Sequence, residues 1–75
     1  MPIVKRFKNC VVRINARDHN PPHVHIVMSD GREALVDLNS MDVMGSINRR
    51  EISETLAWIT DNTAELRRLF EELTK

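Results

Sequence analysis

All three histidines of this sequence fall within seven positions, in the segment Asp18-His19-Asn20-Pro21-Pro22-His23-Val24-His25. Imidazole is the one side chain that ordinarily titrates close to neutral pH, at about 6.5, so two on one surface can supply an acid and a base. His23 and His25 are two apart on a predicted strand, which points both the same way with Cβ atoms roughly 6–7 Å apart. Pro21-Pro22 stiffens the approach and fixes where the histidines emerge. Asp18 is placed to orient His19, or to turn the loop through an Asx motif.

Three readings fit these residue types. In the first, His23 and His25 transfer protons, His19 assists, and Arg13 and Arg17 hold a phosphodiester, with RNA as the leading substrate. In the second, His23 and His25 are two ligands of a divalent metal ion, and His19 or Asp18 adds a third. The loop spacing does not impose convergence, and Cys10 falls on the predicted core face. In the third, Asp18 and Asn20 make the turn, the prolines end a strand, and the histidines bond backbone or water. The residues leave all three open; no cofactor is expected, with a divalent metal as the alternative. A histidine-triad hydrolase does not fit, because Val27 stands where its third histidine would be and the chain is short.

The elements that must position this segment follow from hydrophobic period. Residues 3–7 are a short β-prone run. Across residues 10–17, Cys10, Val12, Ile14 and Ala16 alternate with Val11, Arg13, Asn15 and Arg17, the period of a half-buried strand. The prolines cannot donate ladder hydrogen bonds, so pairing stops in the loop 18–22. Residues 23–29 predict the next strand, with Val24, Ile26 and Met28 on one face and His23, His25 and Val27 on the other. Asp30-Gly31 reads as a two-residue hairpin turn, and residues 32–38 return as a third long strand. Residues 39–47 are irregular, with a short edge strand at 42–44.

After Gly45 the period changes. Asn48 with Glu51 is a capping-box signature, Ser46 being an alternative cap, and Ile52, Leu56 and Ile59 recur at helical spacing. Asn62 with Glu65 repeats the signature ahead of a stripe of Leu66, Leu69, Phe70 and Leu73. The expected fold is therefore α+β, an antiparallel sheet of three or four strands in an N-terminal meander, covered on one face by two C-terminal helices. The opposite face would display His23, His25, Arg13 and Arg17. Trp58 is read as a core-edge residue or a partner anchor, Met41 and Met44 as loop packing, and Cys10 as a small buried apolar residue.

Composition bounds the rest. Seventy-five residues make one domain, 1–75, and so small a core leaves room for a partner or a second copy (a homodimer) to add burial. An apolar content of 41% with 29% charged residues fits a folded chain and not a disordered one. Eleven basic residues balance eleven acidic ones, so no net field attracts nucleic acid, although residues 1–17 carry only basic charges. A lone cysteine rules out an internal disulfide, and no apolar run approaches a membrane span, so the expected location is the cytoplasm, with no membrane partner.

Asp18-His19-Asn20-Pro21-Pro22-His23-Val24-His25, together with Met1-Pro2, Gly45-Ser46, Arg49-Arg50 and Leu56-Ala57-Trp58-Ile59, resembles a family of small bacterial proteins catalogued as a domain of unknown function. That family is marked by Asp-His-x-Pro-Pro-His-x-His, and the resemblance covers nearly the whole chain. Many members have Phe at the position of Val24 and Pro at that of Asn48. Their genes often stand beside a gene for a second small protein, which resembles a toxin–antitoxin cassette. The resemblance thus implies a small cognate partner protein and an RNA-directed, toxin-like activity, an argument by analogy and not from site chemistry.

Overall fold

The computed structural model describes residues 3–15 and 18–74. Five strands form one antiparallel meander in chain order: β1 (Ile3–Arg6), β2 (Cys10–Arg13), β3 (His23–Met28), β4 (Glu33–Asp37) and β5 (Val43–Gly45). A 3-10 turn (Arg49–Ile52) leads into α1 (Ser53–Asp61), followed by α2 (Thr63–Leu73). The sheet is α+β in the expected arrangement, with five strands in place of three or four. The β-prone run at 3–7 and the short edge strand expected at 42–44 both pair, as the two edge strands. Residues 3–6 pair with β2 through an irregularity between Ile3 and Lys5. Residues 43–45 pair with β4, where Gly45 lies opposite Ala34. Gly45 has φ +139°, and a Cβ there would stand 2.6 Å from the Glu33 carbonyl oxygen, so this close approach needs glycine.

Two boundaries differ from the periodicity reading. β2 ends at Arg13, because β3 begins only at His23 and Asn15 already accepts a turn hydrogen bond from the Asp18 amide at 3.3 Å. The β3–β4 connection is a three-residue loop, Ser29-Asp30-Gly31. It is closed by Met28 N–H on the Arg32 carbonyl at 2.8 Å, with Gly31 at φ +94°. That is the hairpin in which the third loop residue takes the left-handed conformation.

Alternation sorts each strand by face. Val12, Val24, Ile26, Ala34, Val36 and Leu38 are buried against Ile52, Leu56, Ile59, Leu66 and Phe70 from the helices. Leu69 is only partly buried, while Ile47 and Thr55 join the core, the Thr55 hydroxyl lying 3.2 Å from Cys10 Sγ. Burying such side chains contributes about 1.5–3 kcal/mol each and offsets much of the chain entropy. Trp58 packs edge-on against Phe7 at 5.9 Å. Met44 does not pack as expected. It is 52% exposed, because its strand position faces away from the helices beside Leu35.

The capping box at Asn48 forms. Asn48 Oδ1 accepts from the Arg50 amide and Glu51 Oε2 accepts from the Asn48 amide, both at 3.0 Å. The second signature does not. Asn62 breaks the two helices, but its side-chain amide donates back to the Trp58 carbonyl at 2.8 Å, and Glu65 pairs with Arg68. Among the described residues no helix is long and apolar enough to cross a membrane.

Glu51 also receives the Arg32 guanidinium at 2.7 and 3.0 Å, which ties the β3–β4 loop to the start of the helices. Hydrogen bonding from Arg32, and then from the Asn48 amide, holds its carboxyl down from the ordinary 4.5 to about 2. A depressed folded-state value gives a contribution that is full above the unfolded value and lost as pH falls from about 4.5 towards 2. Urea unfolding should therefore show Glu51→Gln less stable than the parent at pH 7, with the gap closing by about pH 2. An unchanged gap across that range contradicts the assignment.

Candidate functional site

The site is built where the β2 end, the connecting loop and the β3 start meet. Register sets the first part. Arg13 and His25 are Cα partners across β2 and β3, and His25 is in turn opposite Leu35 on β4, which is opposite Met44 on β5. This row crosses the sheet face away from the helices. The returning loop sets the second part by carrying Asp18 back over the histidines.

Asp18, His23 and His25 converge. Asp18 Oδ2 lies 2.8 Å from His25 Nε2 and 3.2 Å from His23 Nε2. One ligand-type atom from each residue lies within 4.8 Å of the others. The side chains are 19%, 15% and 14% exposed for Asp18, His25 and His23, so solvent reaches the group without screening it fully. The imidazole rings pack at 62°, with centroids 5.2 Å apart.

His23 shares the face of His25 as expected, but its ring also reaches the helix layer. It opens its strand, where α2 crosses, and its ring lies 5.3 Å from that of the buried Phe70. Its Nδ1 is 2.8 Å from the Pro21 carbonyl oxygen. A carbonyl only accepts, so Nδ1 carries a proton and donates it. Nε2 is thereby the nitrogen left for Asp18. Phe70 and the Pro21 carbonyl together fix the ring.

His25 Nε2 has a second neighbour, Asn15 Nδ2 at 3.1 Å, while Asn15 Oδ1 is buried with no hydrogen-bond partner among the described residues. A carboxylate only accepts and an amide NH₂ only donates, so no single state of Nε2 suits both. If Nε2 is protonated it meets the NH₂ donor to donor; if bare, it meets Asp18 acceptor to acceptor. A half-turn of the Asn15 amide resolves the first case and pairs Oδ1; a cation bound by Nε2 and Oδ2 resolves the second.

The other expected residues are placed as follows. Arg13 lies beside the group and pairs with Glu33 at 3.3 Å. His19 is exposed and outside the convergent three, so it is not the third member; Asp18 is. Arg17 lies outside the described residues. A shallow cleft of about 390 Å³, lined by Arg13, Asn15, His25, Glu33, Leu35 and Met44 among others, opens next to His25. Sequence reasoning missed Asn15 and Phe70 as site residues. Asn15 shares the alternation face of Arg13, which was the available signal. Phe70 reads only as part of a core stripe.

The Pro21 contact makes a direct prediction. Long-range ¹⁵N–¹H spectra at neutral pH should show the His23 Nδ1 proton in place, held by the Pro21 carbonyl. A neutral His23 with its proton on Nε2 alone would contradict the geometry.

No curated protein and no solved structure matches the chain. One family model does, over residues 10–71, a span that contains β2 to β5, α1, most of α2 and every residue of the convergent group. On that match the chain belongs to the family described as Domain of unknown function (DUF4160).

Proposed function

We propose that this protein is the toxin-like component of a bacterial two-gene module and cleaves RNA at the Asp18–His23–His25 centre. The observation that carries the reading is the convergence of one carboxylate and two imidazoles, one of which, His25, lines an open cleft, with Arg13 directly across the ladder from it. Structural histidines on a strand need no such focus.

Arg13 suits a phosphodiester. Its present partner, Glu33, is 52% exposed, and such a surface pair contributes about 0–1 kcal/mol. A phosphate offers two oxygens to the guanidinium fork and can displace it. The cleavage needs no reactant besides RNA. A ribose 2′-oxygen attacks phosphorus, the phosphorus–O5′ bond breaks, and the 2′ proton ends on the departing 5′-oxygen. The products are a cyclic phosphate and a 5′-hydroxyl end. The gene arrangement implied by the family resemblance supports a small partner protein that restrains the activity, and the cytoplasm is where RNA would be met.

A second reading is a non-enzymatic docking module, favoured by exposed Met44 beside Leu35 on the same face. Expression of the chain alone in bacteria separates the two. RNA cleavage and growth arrest are expected. Arg13→Gln should lower cleavage by roughly 100-fold, and His25→Gln should relieve the arrest while the protein stays folded. Normal growth with intact RNA, together with a stable complex with the neighbouring gene product, would favour docking and overturn the enzyme.

A further inference from the structure

We infer that Asp18, His23 and His25 form a binding site for one divalent transition-metal ion, of the two-histidine, one-carboxylate type. The inference goes beyond the cleavage reading and holds whether or not RNA is the substrate.

Distance is the first argument. Zinc binds histidine nitrogen and carboxylate oxygen at about 2.0–2.2 Å, which puts neighbouring ligand atoms about 2.8–3.6 Å apart for angles between octahedral and tetrahedral. The observed separations of 2.8 and 3.2 Å from Asp18 Oδ2 lie at that spacing, and the third pair is within 4.8 Å.

Tautomer is the second. Metal-bound imidazole donates its other N–H to a carbonyl or carboxylate, which fixes the ring and directs the free lone pair at the ion. His23 has this arrangement, with Nδ1 on the Pro21 carbonyl and Nε2 towards Asp18. The third argument is the mismatch at His25. With Nε2 bare, it faces Asp18 Oδ2 at 2.8 Å acceptor to acceptor, and the buried Asn15 Oδ1 has no partner among the described residues. A cation removes the repulsion, and a half-turn of Asn15 brings a further oxygen towards it. Two ring nitrogens select zinc, nickel or ferrous iron over magnesium or calcium, which prefer all-oxygen sites. Three protein ligands leave coordination positions open towards solvent, the arrangement of a catalytic and not a structural ion.

The test uses the full chain without a histidine tag, stripped with EDTA and titrated with zinc chloride in a calorimeter. One zinc per chain is expected, with no saturable heat from magnesium chloride. Asp18→Asn keeps the side-chain shape, and His25→Gln removes one nitrogen. Each should weaken zinc by at least the roughly 10- to 100-fold typical of losing an outer partner, while His19→Gln should bind like the parent. In the parent itself, ¹⁵N spectra should show Nε2 of His23 and His25 shifting on zinc addition, with the His23 Nδ1 proton retained. No saturable zinc uptake, or uptake unaffected by both Asp18→Asn and His25→Gln, overturns the inference. RNA cleavage that persists in EDTA overturns a catalytic role for the ion and leaves the cleavage reading standing. Zinc binding without cleavage does the reverse.

Discussion

A carboxylate oxygen placed 2.8 Å from one imidazole nitrogen and 3.2 Å from another must share a proton or a cation with them. Three bare lone pairs at that distance repel, and in a partly desolvated setting the repulsion is weakly screened. Removing one partner of such a group leaves the others facing each other or facing nothing, which typically costs more than an ordinary surface pair contributes. The rest of the site is arranged around this constraint. The Pro21 carbonyl holds one ring by its far nitrogen, Phe70 supports the same ring from the helix side, and Asn15 meets the other ring from the strand end.

The fold supplies that arrangement economically. β2 stops at Arg13, opposite His25, and so frees the chain to carry Asp18 back across β3. The ladder then sets His25 between Arg13 and Leu35, and the helices bury the opposite strand face. The site lies on an irregular loop held by a sheet, where backbone is free to present side chains and the ladder keeps their spacing. The capping box and the Arg32–Glu51 pair stabilise the far end of the molecule, away from the histidines.

Much of this was legible in the sequence because strand alternation is a strong signal. Val24, Ile26, Ala34, Val36 and Leu38 identify their faces from period alone, as do Ile52, Leu56 and Ile59 in the helical part. The edge strands were less legible, since Ile3–Arg6 and Val43–Gly45 are short and their pairing depends on neighbours distant in sequence. The Asn62 signature misled because the side chain found a carbonyl one turn back, a local competition that composition does not reveal.

At the site, the sequence marks the segment and the pair His23 and His25. It does not say which residue joins them. His19 and Asp18 are neighbours in the chain and differ only in how the loop returns, which depends on tertiary packing. Nor does spacing show that the His23 ring reaches Phe70, because that follows from where α2 crosses and from the Pro21 hydrogen bond.

The central claim is that Asp18 and His25 act on one another directly, and a double-mutant cycle on metal-free protein measures that. Unfolding free energies of the parent, Asp18→Asn, His25→Gln and the double variant should show a coupling of about 0.5–3 kcal/mol. Effects that simply add, within about 0.5 kcal/mol, would contradict a convergent site.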